Sequence, residues 1–258
     1  MTDPTPLRPH VLAECTWSAD AATRYEVAVL PWGATEAHNR HLPYATDTIQ
    51  AERVAIEAAR IAWDAGARAL VLPAVPFGVN TGQADIPFCL NMNPGTQAAL
   101  LRDLIGSLEG HGVRKLVLLN GHGGNDFRQI IRELQPSTRV LLCQLHWYSC
   151  LDPRPFFDEA GDHAGELETS VMLHLEPSLV RPLAEAGPGT TRPFRVRGFR
   201  EGWAWTQRRW TQVTADTGAG DPKGATAEKG ARYVAAVAER VAGFLVELAA
   251  ADPDAMYE

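Results

Sequence analysis

The feature that most constrains the fold is a set of four apolar runs of strand length. These runs are rich in Val and Leu, barely alternate with polar residues, and occupy Glu26–Pro31, Ala69–Val75, Lys115–Leu119 and Val140–Leu145. A strand that is covered on both faces needs apolar side chains on both, which is typical of parallel sheets. The runs therefore predict a mostly parallel sheet with both faces buried.

Segments with helical spacing of apolar residues separate the runs. They cover Thr48–Ala65, Gly95–Gly110 and Asn125–Leu134, and an Ala-rich helix at Ala225–Ala250 closes the chain. Alternating strands and helices predict a wound, layered α/β fold. Because no internal repeat or composition break divides the chain, we expect a single domain over residues 1–258.

Composition excludes several classes of protein. A formal net charge of −7 without a basic run argues against a nucleic-acid partner. No apolar run approaches the roughly 18 residues of a membrane span, and the N-terminus lacks the features of a secretion signal. The four cysteines have no CxxC spacing, which favours thiols of a cytoplasmic protein over a disulfide framework.

Metal-type ligands concentrate directly after the first predicted strand. Glu36 and His38 are two residues apart, so in an extended segment both side chains face the same way. Asp47 follows at the start of the next helix, and its two carboxylate oxygens could bridge two cations. The metal-free alternative makes Thr46 or Asp47 a helix N-cap. Three such groups in one loop favour the metal site.

A glycine-rich turn, Asn120-Gly121-His122-Gly123-Gly124-Asn125, follows the third predicted strand. Both strings thus fall at the C-terminal ends of strands, where open α/β sheets bind ligands. Carboxylates and imidazoles together are a ligand set for divalent metals such as Zn²⁺ or Mn²⁺. A phosphate-binding turn is the alternative, but the GxGxxG spacing and the Walker lysine are missing.

A third string adds one imidazole and three carboxylates, from Asp162, His163, Glu166 and Glu168. The acids also suit the positive end of a helix dipole, which is their metal-free explanation. The dipole does not explain His163, which could exchange a proton near neutral pH. Together the three strings predict a metal-dependent hydrolase.

Residues 184–223 form a long irregular segment. The segment is rich in Gly, Pro, Thr and Arg, and it carries Phe199, Trp203, Trp205 and Trp210. Such insertions in compact domains are usually functional or partly disordered. We expect this one either to cover the active site or to contact another subunit.

In this order, the motifs resemble those of the creatininase family of creatinine amidohydrolase-like proteins. The matching strings are Pro31–His38, His41-Leu42-Pro43, Thr46-Asp47, Asn120–Asn125, His163-Ala164-Gly165, Glu168-Thr169-Ser170 and Gly220-Asp221-Pro222, and they span nearly the whole chain. The resemblance implies a single-domain, three-layer α/β/α fold, a binuclear divalent-metal site and hydrolysis of a C–N bond in an amide or cyclic amide. Members are often homohexamers.

The resemblance also implies roles for single residues. The implied metal ligands are Glu36, His38, Asp47 and His122, with Asp47 in the bridging position. Glu168 is taken for the remaining ligand, with Asp162 as the alternative, and His163 is expected to bring a proton to the leaving nitrogen. The implied cofactors are two divalent ions, Zn²⁺ and/or Mn²⁺, with Fe²⁺ also compatible.

Two positions depart from the family pattern. Gly124 stands where creatininases have a ligand glutamate, and Asn39-Arg40 stands where many relatives have Gly-Pro. Both differences argue against creatinine itself. We therefore predict an amidohydrolase that cleaves a small amide or cyclic amide through a metal-bound hydroxide, with a formamide deformylase or a peptide-trimming enzyme as alternatives within the family. A non-catalytic binding protein and a two-metal phosphate-ester hydrolase are the rivals outside it.

Overall fold

The computed structural model describes residues 8–17 and 23–257. In this part of the chain, four parallel strands form one sheet in the order β2-β1-β3-β4. The strands are β1 (Val27–Trp32), β2 (Ala69–Val71), β3 (Lys115–Asn120) and β4 (Leu141–His146). The predicted parallel sheet is thus confirmed.

Helices cover both faces of the sheet. They are α1 (Thr46–Asp64), α2 (Pro94–Gly110), α3 (Arg128–Leu134), α4 (Glu166–Leu175), α5 (Arg197–Arg200), α6 (Trp210–Val213) and α7 (Ala227–Ala250), and short 3₁₀ turns lie between them. One face packs against α1, α4 and α7, and the other packs against α2 and α3. The fold is the three-layer α/β/α sandwich that the sequence predicts.

Neighbouring residues of the central strands enter opposite cores. Val29 and Val117 point to the core beneath α1 and α7, whereas Leu30 and Leu118 point to the core beneath α2 and α3. Full burial of each such side chain contributes about 1.5–3 kcal/mol. This double burial explains why the strand sequences do not alternate between apolar and polar residues.

Two predicted elements are shorter than expected. The run at Ala69–Val75 forms a strand only to Val71, because Pro73 has no N–H for the ladder. The predicted helix Asn125–Leu134 begins only at Arg128, since the side chain of Asn125 bonds instead to the preceding turn and to loop backbone. In the described part of the chain, no helix is long and apolar enough to span a membrane.

The ends of β1 and β3 define the position of the site. Trp32 and Asn120 are paired at the C-terminal ends of these adjacent central strands. From β1 the chain crosses to β2 on one side, whereas β3 lies on the other side. Ligand sites of open parallel sheets occur at such a switch point. The loops after β1 and β3 carry the first two predicted ligand strings.

Candidate metal centre

His38 and Asp47 form the first contact of the site. The His38 ring is buried, and its Nδ1–H donates to the backbone oxygen of Glu36 at 3.1 Å. This bond leaves the Nε2 lone pair facing Oδ1 of Asp47, 2.9 Å away. A ring nitrogen held by backbone while the other faces the site is typical of metal-ligating histidines.

Asp47 does not cap a helix. The N-cap of α1 is Ala45, which makes no side-chain cap bond, and the Thr46 hydroxyl donates to Pro43 O at 2.7 Å. The alternative that Thr46 or Asp47 is the N-cap is therefore wrong. Oδ2 of Asp47 instead lies 3.0 Å from Nδ1 of His122. The first turn of α1 places this carboxylate between two imidazoles.

His122 is held in the same manner as His38. Its Nε2–H donates to Val79 O at 3.1 Å, so Nδ1 faces Oε1 of Glu36 and Oδ2 of Asp47, each at 3.0 Å. Three backbone N–H groups of the glycine-rich turn are already used, because those of Gly121, His122 and Asn125 donate to Trp32 O, Asn120 Oδ1 and His122 O. The turn presents the imidazole of His122 to the site.

The three acidic residues of the third string lie in different environments. Oε2 of Glu168 accepts the N–H of Ala164 at 2.5 Å and lies 3.9 Å from Nε2 of His38. Asp162 is exposed and pairs with Arg208 at 2.5 Å, outside the cluster. Glu166 is buried against Lys229 of α7. Of the candidates for the remaining ligand, Glu168 is the one that lies beside His38 and Asp47.

The ligand atoms form three groups in the described part of the chain: Glu36, His38 and His163 make one, and the other two are triads that share the carboxylate of Asp47. Glu36, Asp47 and His122 form one triad, and His38, Asp47 and Glu168 form the other, with the ligand atoms of each lying within 4.8 Å of one another. Oδ2 of Asp47 is buried without a hydrogen bond in the described part of the chain. Lone pairs and carboxylate charges that face one another need a cation between them, so the residues present fit two divalent ions.

Electrostatics of the cluster show the same need for positive charge. Burial opposes the charge on His38, but the carboxylates of Asp47 and Glu168 outweigh it and raise the pKa of His38 to about 10. The same balance raises the pKa of His122 well above its ordinary value. For Asp47, burial acts to raise the pKa, yet the two imidazoles lower it. Without a metal, protons therefore take the compensating role.

His163 lies against both triads, between two rings. Its Nε2–H donates to Ala37 O at 2.8 Å, which leaves Nδ1 3.6 Å from Oε1 of Glu36. The His163 ring centroid is 4.2 Å from that of His38 and 4.8 Å from that of Trp210. The backbone and two aromatic contacts thus fix the ring with one nitrogen available to the site.

The cluster lies in a cavity of about 930 Å³. Residues 205–208 and Trp210 of the irregular 184–223 segment line it, opposite the glycine-rich turn. Arg208 bonds to Asp162 and lies over the Trp210 ring, 4.7 Å from its centroid. This part of the segment is a wall of the site, as one of the two alternatives predicts.

Sequence reasoning missed Gln83 altogether and did not predict the contacts of Asn125 and Trp210 in the site. Gln83 donates to Glu36, and Asn125 accepts from Val79 N at 3.0 Å and thereby holds the loop that binds His122. Trp210 was recognisable only as one aromatic residue among several. The flanking asparagines of the glycine-rich turn were part of a motif, but the contacts of Gln83 connect residues 47 positions apart.

Comparison with known proteins places this site in a family. A family model described as Creatininase, creatinine amidohydrolase, matches residues 13–245. The chain belongs to the creatininase family. Creatininases are hydrolases acting on carbon–nitrogen bonds, so the chain is an amidohydrolase, as the motifs predict.

Curated and structural relatives agree with the family assignment. The mycofactocin precursor peptide peptidase of Mycobacterium tuberculosis is 34% identical over 223 residues, 82% of this chain and 81% of that protein. The creatinine amidohydrolase of Pseudomonas putida is 29% identical over 213 residues, 72% of this chain and 80% of that protein. A putative creatinine amidohydrolase from Bacteroides fragilis superposes with a TM-score of 0.92 at 44% identity, covering 97% and 99% of the two chains. A manganese form of creatininase superposes at 0.74 with 25% identity, covering 93% and 98%.

The structure accounts for Gly124 and Asn39, two of the residues that depart from the creatininase pattern. A Cβ at Gly124 would lie 2.3 Å from Val79 O and 2.4 Å from Nε2 of His122, so this backbone path excludes a side chain there. Asn39 has a φ of 54°, a left-handed conformation that Gly and Asn tolerate. Its side chain also bonds to the N–H and the oxygen of Gly187 at 2.9 and 3.0 Å.

Proposed function

We propose that this creatininase-family protein hydrolyses a small amide or cyclic amide with the aid of two divalent ions. The observation that carries the proposal is the pair of triads that share Asp47. Three protein ligands per ion leave a coordination position for water or substrate, as catalytic sites require. A closed structural metal site, as in a non-catalytic binding protein, would not open into a cavity of about 930 Å³.

The donor set suits Zn²⁺ or Mn²⁺, and Fe²⁺ is also compatible, because imidazole nitrogens and carboxylate oxygens are mixed. Glu36 and His122 would hold one ion, His38 and Glu168 the other, and Asp47 both. When bound, such ions lower the pKa of water toward neutrality and polarise a carbonyl oxygen. A zinc form and a manganese form of related creatininases support this choice of metals.

His163 supplies the proton that the leaving nitrogen needs. Because Ala37 O holds the Nε2–H, the proton enters and leaves at Nδ1, which faces the triads. Tilted contacts with the rings of His38 and Trp210, at interplanar angles of 33° and 52°, hold the His163 ring from both sides. General acid catalysis by a positioned imidazole contributes about 10²–10⁴-fold in rate.

A peptide is the second candidate substrate. The cavity of about 930 Å³ lies within the roughly 300–1,000 Å³ typical of small-molecule sites, so its volume does not separate a small amide from a short peptide. The relative at 34% identity is a peptidase of a precursor peptide. A phosphate ester is disfavoured, because the arginines that line the cavity, Arg128 and Arg208, are already paired with Asp126 and Asp162.

We also propose a cytoplasmic homo-oligomer, with a hexamer as the expected state. Trp203 and Trp205 are largely exposed, and aromatic residues are enriched at subunit interfaces. Cys89, Cys143 and Cys150 form no disulfide in the described part of the chain. Light scattering tests the assembly, and a monomer of 28.1 kDa would refute it.

The deciding experiment is metal analysis followed by removal and restoration of the metal. The purified protein is stripped with a chelator and reloaded with Zn²⁺ or Mn²⁺. Each form is then assayed against cyclic amides, formamides, short peptides and phosphate esters. We expect metal-dependent release of an amine from at least one amide. A protein that neither binds metal nor shows metal-dependent turnover would favour the binding-protein alternative.

A further inference from the structure

The two carboxylate oxygens of Glu36 have different partners. Oε1 faces the imidazoles of His122 at 3.0 Å and His163 at 3.6 Å. Oε2 points away from them and accepts a hydrogen bond from Nε2 of Gln83 at 2.5 Å. Gln83 is itself only 1% exposed. Oε1 of Glu36 therefore faces the candidate metal site, whereas Oε2 is bound by a protein side chain.

A second contact fixes which end of the Gln83 amide faces Glu36. The thiol of Cys89 donates to Oε1 of Gln83 at 3.3 Å, and the Cys89 sulfur accepts the N–H of Ala37 at 3.2 Å. Because the amide oxygen is bound to the thiol, the amide nitrogen must face the carboxylate. The contacts close a ring that starts and ends beside Glu36.

The loop that carries Gln83 does not depend on this side chain. Gln83 lies in the 3₁₀ turn Thr81–Gln83. Its backbone N–H donates to Asn80 O at 2.9 Å, and its backbone oxygen accepts the N–H of Ile86 at 3.0 Å. The backbone thus forms the turn by itself. The buried side chain is free to serve the carboxylate.

We propose that Gln83 is a positioning residue that restricts Glu36 to binding a cation through Oε1. This inference rests on the proposed metal function. Because the neutral amide of Gln83 occupies Oε2, the Glu36 carboxylate cannot bind a cation through both oxygens, and Oε1 stays directed at His122. The effect is confined to the triad of Glu36, Asp47 and His122, because Gln83 has no contact with Glu168 or His38 among the bonds of the described residues.

The test is metal binding to metal-stripped protein, with Mn²⁺ or Zn²⁺ alone as the probe. Gln83→Met keeps the length of the side chain without a donor, and Gln83→Glu keeps its shape but offers an acceptor. We expect one of two binding steps to weaken by about tenfold or more, while the other is unchanged, since loss of such supporting bonds typically costs 10–100-fold in metal affinity. Cys89→Ser, which still offers a donor to the amide oxygen, should retain both steps.

Gln135→Met is the matched control. The Gln135 amide bonds to Val140 O and Leu142 N, each at 2.9 Å, away from the cavity. Wild-type affinities at both steps in Gln83→Met and Gln83→Glu would overturn the inference. Equal weakening of both steps with a lowered melting temperature would show a merely structural role and would also overturn it. A wild-type protein that binds no divalent ion would instead refute the proposed function, and this inference with it.

Discussion

Nε2 of His38 lies 2.9 Å from Oδ1 of Asp47, and the two side chains are 0% and 2% exposed. The two residues are nine positions apart, one in the loop after β1 and the other in the first turn of α1. Unlike a surface ion pair, this contact is shielded from solvent, so the pairing decides the charge of both groups. The same carboxylate also faces His122, and the site is therefore centred on Asp47.

Asp47→Asn should abolish activity and remove at least one metal ion while the fold is retained. The variant keeps the shape but loses the negative charge shared by the two triads. Metal stoichiometry and melting temperature are measured together. Asp126→Asn is the control, because this exposed carboxylate lines the same cavity but bonds to Arg128. Full metal content in Asp47→Asn would refute the binuclear site.

His163→Ala should lower kcat by about 10²–10⁴-fold without changing the metal content. In the proposed role the imidazole supplies a proton, and the two triads that share Asp47 do not include it, although His163 also forms a group with Glu36 and His38. Trp210→Phe, which keeps a ring against His163, should cost much less. The role assigned to His163 would be wrong if the alanine variant lost its metals but kept its turnover per bound metal.

Gly124→Ala and Gly123→Ala should differ although the residues are adjacent. At Gly124 a Cβ would meet Val79 O and His122 Nε2, the two atoms whose bond orients the imidazole, whereas at Gly123 nothing lies within 4 Å. We expect the first variant to lose about tenfold or more in metal affinity and the second to bind normally. Calorimetric titration with Mn²⁺ measures both. Similar affinities would show that the turn adapts.

Asn39→Ala should destabilise the protein more than Asn39→Gly does. Both variants lose the bonds to Gly187. The left-handed φ of 54° costs alanine about 1–2 kcal/mol, whereas glycine adopts it without this cost. Urea unfolding of the two variants and the wild type gives the difference directly. If glycine were the less stable variant, backbone strain would not be a factor at this position.

The metal-free protein should become less stable as the pH is lowered, in part because of His41. Burial, with a further contribution from the charge of His38, lowers the pKa of His41 from 6.5 to about 4. Between pH 6.5 and about pH 4, His41 is therefore protonated in the unfolded chain but neutral in the folded chain. The free energy of unfolding decreases as the pH is lowered through this range. His41→Gln should flatten this part of the profile of unfolding free energy against pH. His111→Gln, at an exposed position, is the control, and equal slopes in both variants would contradict the assignment.

The sequence was most informative where local pattern and chemistry coincide. Uninterrupted apolar runs follow from burial on both faces, so the sheet and its parallel sense were predictable from residues such as Val29 and Leu30. Ligands at the ends of β1 and β3 were predictable because adjacent strands bring their C-terminal loops together. Strand and helix ends were less accurate, as at Val71 and Arg128, where a proline and a site loop decide the boundary.

By itself, the sequence determined the layered fold, the family and the ligand types, because these depend on periodicity and on short motifs. Only the tertiary structure decided which acid of the third string joins His38: Glu168 faces inward, while Asp162 is held outside by Arg208. It also decided that Gln83 supports Glu36 across 47 residues. Such choices depend on the packing of side chains from distant segments, which local propensity does not encode.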